Sequence, residues 1–189
     1  MKSGMKWLIG IGVVVVILII WVAGMYNGLV DAEQNVETAR SDIETQLQRR
    51  SDLVPNLVST VKGYASQEKD IFTDIANARA KLAGANNLSD QAEADTDLSN
   101  ALSRLLVVVE NYPDLKSNQN FQDLSVQLEG TENRIAIARQ DYNDAVMRYN
   151  KKRRRFPTSI ISNAFGFEEA PLFEASPESQ NAPVVDFSS

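Results

Sequence analysis

The sequence predicts an all-α protein in which an N-terminal transmembrane helix precedes a long antiparallel bundle of three to four helices. One observation is an uncharged apolar run near the start, and another is the recurrence of apolar residues every three or four positions through most of the remainder. The third observation is that most of the prolines lie after residue 156. The chain therefore divides into a short tail (1–6), a membrane span (7–25), a helical domain (26–156) and a Pro-containing acidic tail (157–189), which we expect to be partly packed or disordered.

The predicted membrane span runs from Trp7 to Met25 without a charged residue. At 1.5 Å per residue its roughly 19 residues extend about 28 Å, which is enough to cross the hydrocarbon core of a bilayer. A cleaved signal peptide is the alternative. The run is longer than the apolar part of most signal peptides, and no small-x-small cleavage site precedes Tyr26. We therefore expect an uncleaved anchor.

The charges that flank the span predict its orientation. Lys2 and Lys6 precede it, whereas Asp31, Glu33 and Glu37 follow soon after it. Basic residues favour the cytoplasmic side of a membrane. We therefore expect a single-pass protein of the plasma (inner) membrane with its main domain outside the cytoplasm.

Composition excludes several classes of function. The net charge is −6, and both lysines that precede the span lie outside the domain, so the domain is still more acidic and no binding to nucleic acid is expected. The chain has no Cys and no His, which removes the usual nucleophiles and metal ligands. We expect no enzymatic activity, no metal and no cofactor.

The first helical region after the span reaches from Tyr26 to Leu82 and contains Pro55. Two arrangements fit it: one long helix kinked at Pro55, or a break there with a new helix capped by Ser51 or Asp52. The sequence does not decide between them. Its apolar seam consists of Val54, Leu57, Val61, Tyr64, Ile71, Ile75, Ala78 and Leu82.

The next helix is expected from about Asp90 to Glu110, with Gly84 ending the helix before it and Ser89 as the N-cap. Pro113 should end this helix, because a residue that precedes proline avoids helical geometry.

A long helix then begins near Phe121, with Ser117 or Asn118 as its N-cap. Its apolar seam comprises Phe121, Leu124, Leu128, Thr131, Ile135, Ala138, Tyr142, Ala145 and Tyr149. After it we expect one short helical turn at Thr158–Phe165, followed by an extended segment or disorder. Part of this tail should lie along the bundle, because it contains Phe165, Phe167, Leu172, Phe173, Val184 and Val185.

The polar connector between these two helices, residues 110–121, is the first candidate interaction site. Glu110 and Asp114 lack the spacing of a recognisable cation site, so the connector is better interpreted as a turn with spare polar groups for docking. Its candidate interaction residues are Glu110, Asn111, Tyr112, Asp114, Asn118 and Asn120.

A second candidate is an amide and phenol network on the long helix. It would fix the register of packed helices, as buried polar side chains can. The alternative is that the tyrosines are seam residues whose hydroxyls reach solvent. The candidate residues are Glu129, Glu132, Asn133, Arg134, Arg139, Tyr142 and Asn143.

The third candidate is a basic cluster at the end of the long helix, Lys151, Lys152, Arg153, Arg154 and Arg155. It could contact anionic lipid. Two simpler explanations are a solvated helix end, where cations suit the helix dipole, and pairing with the acidic tail.

Several short stretches follow one another along the chain in a characteristic order: Tyr26-Asn-Gly-Leu-Val, Leu47-Gln-Arg-Arg-Ser-Asp-Leu-Val-Pro-Asn-Leu-Val, Glu110-Asn-Tyr-Pro-Asp-Leu, Leu128-Glu-Gly-Thr-Glu-Asn-Arg-Ile-Ala, Tyr142-Asn-Asp-Ala-Val, Phe156-Pro and the tail ending Pro183-Val-Val-Asp-Phe. These stretches and their order resemble the signature blocks of the LemA family. The resemblance implies a bacterial, membrane-anchored helical bundle without established catalytic activity, with suggested roles in membrane organisation and envelope maintenance.

Two functions remain open at this point. The first is a non-catalytic membrane scaffold that organises the membrane or assembles with itself, as a homo-oligomer, and with other envelope proteins. The alternative is an adaptor or regulator of a membrane enzyme such as an envelope protease, docking through the connector.

Overall fold

The computed structural model describes residues 2–173, with side chains from Lys6 onward, and the described residues form helices without any strand. The all-α prediction is confirmed. Val184, Val185 and the rest of the tail after Phe173 lie outside the described residues. The helices are α1 (Lys2–Lys62), α2 (Lys69–Gly84), α3 (Leu88–Val109), α4 (Pro113–Lys116), α5 (Gln119–Arg154) and α6 (Thr158–Phe165).

The apolar beginning of α1 has the character of a membrane span. It is the one candidate span among the described residues, and none of the side chains in its most apolar window is buried in the protein. Exposed fractions between Trp7 and Trp21 reach 75%, at Trp7 itself. So much apolar surface is stable in lipid and costly in water.

The described chain divides into two compact units. Residues up to Ser41 together with Asp141–Leu172 form one, which we call the anchor unit. Residues Asp42–Gln140 form the other, the bundle unit, to which Phe173 also belongs.

In the anchor unit, α1 and the end of α5 run antiparallel, and Lys152 Nζ donates a hydrogen bond to the carbonyl oxygen of Gly28. The chain then reverses into α6. Gly166 ends α6 with a φ of 75°, a left-handed conformation that glycine adopts without strain, and the Phe167 N–H bonds to the Ser162 carbonyl oxygen at 2.9 Å.

In the bundle unit, successive long helices are antiparallel. Arg104 pairs with Asp74 at 2.6 Å and Lys81 with Asp97 at 2.8 Å, so α3 runs opposite to α2. The core of this unit is aliphatic. Residues with no more than 1% exposure include Leu57, Val61, Ile75, Leu98, Leu105 and Leu115.

α1 continues as a helix through Pro55, which settles the question that the sequence left open. Proline has no N–H to donate to the carbonyl of Ser51, four residues earlier. Arg79 of α2 replaces this donor, since its Nε lies 3.1 Å from the Ser51 carbonyl oxygen and 3.2 Å from Ser51 Oγ. The chain instead turns at residues 63–68, between Lys62 and Lys69, where no break was predicted.

One predicted helix cap is wrong, and two predictions are confirmed. α3 is capped by Asn87, whose side chain accepts from Asp90 N at 2.9 Å, so Ser89 lies inside the helix. α3 ends at Val109, before Pro113, which opens the short helix α4. Asn118 Oδ1 accepts from Phe121 N at 3.1 Å and caps α5, and α6 occupies the predicted residues.

Candidate functional site

Several polar groups of the connector between α3 and α5 bond to other residues of the connector and so stabilise its turn. Leu115 in α4 is fully buried and anchors it. Lys116 pairs with Glu110, both side chains being well exposed, and Ser117 Oγ donates to the Asp114 carbonyl oxygen at 3.1 Å. Glu110 is therefore engaged by a lysine, in keeping with a turn and not with an acid/base pair.

Tyr112 and Asn118 tie this connector to the turn between α1 and α2. Tyr112 Oη donates to Glu68 Oε1 at 3.3 Å, and Asn118 Nδ2 donates to Tyr64 Oη at 3.1 Å. Desolvation and, after it, the Glu68 carboxylate raise the pKa of Tyr112. Asn111 and Asn120 are exposed, so these two keep their amides available to solvent.

A buried ion-pair network, absent from the sequence-based candidates apart from Glu132 and Arg139, lies in the bundle unit. Asp95 of α3 pairs with Arg50 at 2.8 Å and with Arg139 at 2.7 Å, and its side chain is 5% exposed. Glu132 lies 3.8 Å from Arg50. One buried carboxylate thus pairs with two guanidinium groups, and the exposed carboxylate of Glu132 adds a second negative charge near Arg50. The missed signal was Asp95 itself, three residues before Leu98 on the apolar seam of α3.

The other members of the predicted amide and phenol network are not brought together. Glu129, Asn133 and Arg134 are exposed on α5. Asn143 is half-buried and has an interaction partner. Tyr142 donates its hydroxyl to the Pro171 carbonyl oxygen at 2.9 Å, so its hydroxyl neither reaches solvent nor joins an amide network.

Tyr142 belongs to a set of side chains that hold the chain after α6, the strap (residues 167–172). Tyr149 Oη donates to the Glu168 carbonyl oxygen at 2.8 Å. The Asn150 amide donates to the Ala170 carbonyl oxygen at 2.8 Å and accepts from Ala170 N at 3.1 Å. Burial raises the pKa of both tyrosines, because it disfavours the phenolate. These hydrogen bonds hold residues 168–171 against α5.

The residues of the basic cluster differ in their contacts: two of the five side chains bond to other parts of the anchor unit, and three are exposed to solvent. Arg153 pairs with Glu169 of the strap at 2.9 Å, which is the tail pairing that the sequence suggested, and Lys152 contacts Gly28. Lys151, Arg154 and Arg155 are exposed, and none of their side chains makes a hydrogen bond or ion pair within residues 6–173.

Aromatic rings surround the point where α1 leaves its apolar segment. The ring of Tyr26 lies 5.0 Å from that of Phe165 and 5.6 Å from that of Phe167. Beside them is an apolar cleft of about 460 Å³. Its lining residues are Val15, Leu18, Ile19, Val22, Ala23, Tyr26, Asn27 and Phe165.

α5 carries a second heptad-spaced face, on the side away from its buried seam. Val126, Gly130, Asn133 and Ile137 follow one another at intervals of four, three and four residues, and all are exposed. Val126 is 68% exposed and Ile137 is 51% exposed. A side-chain carbon at Gly130 would meet no atom within 4 Å, so the face is open there.

Among the described residues, no group of three or more carboxylates is arranged to hold a metal ion. The buried charges of the bundle unit are those of the Asp95 network, in which the acid is paired with arginines.

Residues 39–187 match the family model described as the LemA family. The chain belongs to the LemA family. This LemA match begins inside α1, after the stretch Tyr26-Asn-Gly-Leu-Val, and takes in the connector, all of α5 and the basic cluster.

Relatives of this LemA chain include proteins named for a magnetosome. Magnetosome protein MamQ 2 of Paramagnetospirillum magneticum is 29% identical over 85% of this chain and 68% of its own length. Magnetosome protein MamQ of Magnetospirillum gryphiswaldense is 26% identical over the same shares. Protein LemA of Metamycoplasma hominis is 23% identical over 81% of this chain and 70% of its own.

Proposed function

We propose that this LemA family protein is a non-catalytic, membrane-anchored scaffold that assembles with copies of itself and so organises the membrane around it. The observation that carries the proposal is the exposed second face of α5, Val126, Gly130, Asn133 and Ile137. Val126 and Ile137 flank the glycine and the asparagine at the spacing of a coiled-coil seam. Leaving the apolar side chains of such a face exposed to water is unfavourable.

The chemistry of this face suits a second copy of the same chain. Gly130 allows close approach of a partner helix. Asn133 can pair with its own counterpart, because an amide is both donor and acceptor. Copies anchored in one membrane by the same N-terminal span meet side by side, and a two-fold axis along the membrane normal brings identical residues together.

The proposal includes the orientation that Lys2 and Lys6 predict, with the domain outside the cytoplasm at the plasma (inner) membrane. The scaffold also assembles with other envelope proteins. The absence of catalysis is part of the proposal, since the best-placed carboxylates, Glu110 and Asp95, are each paired to a cation.

Cysteine crosslinking tests self-assembly directly, because the native chain has no cysteine and gives no background. Asn133→Cys should form a disulfide-linked dimer on mild oxidation in membranes. Arg134→Cys, exposed on the next face of the same helix, is the matched control and should crosslink far less. Light scattering of the detergent-solubilised chain should give an oligomer that Val126→Lys with Ile137→Lys converts to a monomer.

Two results would overturn the proposal. One is a strict monomer at all concentrations, and the other is equal crosslinking at positions 133 and 134. The adaptor function remains the second candidate, through the exposed amides Asn111 and Asn120 of the connector. Crosslinking from Asn120→Cys to a distinct membrane protein, without any dimer through position 133, would favour it.

A further inference from the structure

Apolar side chains are exposed on α6 and at Phe156, just before the helix begins. Phe156 is 77% exposed, Ile160 is 59% exposed and Phe165 is 60% exposed, whereas Ile161 and Ser162 are buried. Ile160 and Ala164 are four residues apart in α6 and so share one face of that helix, and Phe156 exposes its ring in the turn just before it. This face is unusually apolar for a surface in contact with water.

The location of this face indicates what covers it. Phe165 contacts Tyr26, the first residue after the predicted membrane span, and Lys152 contacts Gly28, two residues further on. Phe165 also lines the cleft that follows the span itself, together with Val15, Leu18 and Val22. With residues 7–25 in the bilayer, α6 lies at the boundary between the acyl chains and the headgroups.

The charge beside α6 matches this location. Lys151 and Arg154 are three residues apart and lie on one side of the end of α5, and Arg155 follows directly after the helix. The three side chains are exposed and have no partner within residues 6–173, whereas the Arg153 side chain is already paired with Glu169. Cations adjacent to an apolar face at a membrane surface attract phosphate headgroups.

We infer that α6, with Phe156 before it, is an interfacial membrane-contact element, and that Lys151, Arg154 and Arg155 bind anionic phospholipid headgroups. The apolar face of α6 enters the outer part of the acyl region, and the three cations remain at the phosphates. A chain held by a single span is free to rotate about it. A second attachment beside the span fixes the orientation of the anchor unit on the bilayer. This inference stands independently of self-assembly.

Fluorescence quenching in reconstituted full-length protein tests the inference. A fluorophore on Ala164→Cys should be quenched by phospholipids that carry a nitroxide high on the acyl chain, and it should be protected from aqueous iodide. Quenching by lipid should be stronger in vesicles containing phosphatidylglycerol than in phosphatidylcholine alone. Met147→Cys, which is exposed on α5 before the cluster, is the matched control and should show the opposite pattern.

Two sets of variants separate the apolar and the ionic contributions. Lys151→Gln with Arg154→Gln and Arg155→Gln should remove the preference for phosphatidylglycerol. Phe156→Ser with Ile160→Ser should abolish most of the lipid quenching, and helix content by circular dichroism should stay unchanged because these side chains are exposed. Iodide quenching at position 164 in native-like vesicles would overturn the inference. So would protection from both quenchers, which would mean that protein covers α6.

Discussion

Asp95 is the buried acid at the centre of the ion-pair network in the bundle unit. Its carboxylate pairs with Arg50 and Arg139, and the Arg50 side chain is only 4% exposed. Removing one member of a buried ion pair leaves the other charges uncompensated, and the cost exceeds the net contribution of the intact pair. A single substitution here should therefore be far more damaging than one at the protein surface.

We expect Asp95→Asn to lower the free energy of unfolding by about 3–5 kcal/mol, since it leaves two arginines without their shared anion. Urea unfolding of the detergent-solubilised chain, followed by circular dichroism, measures this. Asp97→Asn is the matched control two residues away. Asp97 pairs with Lys81 at the surface, where both side chains are more than 40% exposed, so its loss should cost only about 0–1 kcal/mol. Equal effects of the two variants would contradict the role given to Asp95.

At the scale of elements, the continuity of α1 rests on a contact from another helix. Pro55 leaves the Ser51 carbonyl without its helical donor, and Arg79 of α2 supplies one. A sequence pattern shows the proline but not the arginine, because the two are 24 positions apart and lie on different helices. Local propensity alone could not have decided between a kinked and a broken helix.

A double-mutant cycle tests this contact. Arg79→Met should destabilise the native chain by about 1–2 kcal/mol, because it leaves a carbonyl unpaired. Pro55→Ala restores the N–H that bonds to Ser51, so Arg79→Met should cost roughly 1 kcal/mol less in that background. Urea unfolding of the four proteins measures the coupling. Additive effects would indicate that Arg79 does not compensate for the proline.

The elements that the sequence predicted well are those with long periodic seams or local caps. The predictions of α5, of α6 and of the cap by Asn118 are confirmed. In α5, seam residues such as Ile135 and Tyr149 are only 2% exposed. The turn at residues 63–68 was missed because Val61, Tyr64 and Ile71 continue the apolar spacing through it. Of the candidate sites, the strap contacts of Tyr142 could not be foreseen, because they depend on backbone atoms of a segment without periodicity.

For the whole molecule, the side of the membrane on which the domain lies determines its reachable partners. Lys2 and Lys6 favour a cytoplasmic N-terminus. In spheroplasts, a membrane-impermeant maleimide should label Ser66→Cys, in the exposed turn between α1 and α2, without permeabilisation. Ser3→Cys should be labelled only after permeabilisation. The reverse pattern would place the domain in the cytoplasm and contradict the orientation proposed.

The strap is held by hydrogen bonds from side chains of α5 to its main chain, so its own side chains can vary in sequence. Tyr142, Tyr149 and Asn150 bond to main-chain atoms of Glu168, Ala170 and Pro171, not to their side chains. A substitution that leaves the path of the backbone unchanged preserves these hydrogen bonds. The side chain at position 170 can therefore vary among homologues while α5 still binds the segment. Tyr142, Tyr149 and Asn150, whose side chains make the hydrogen bonds, can vary much less.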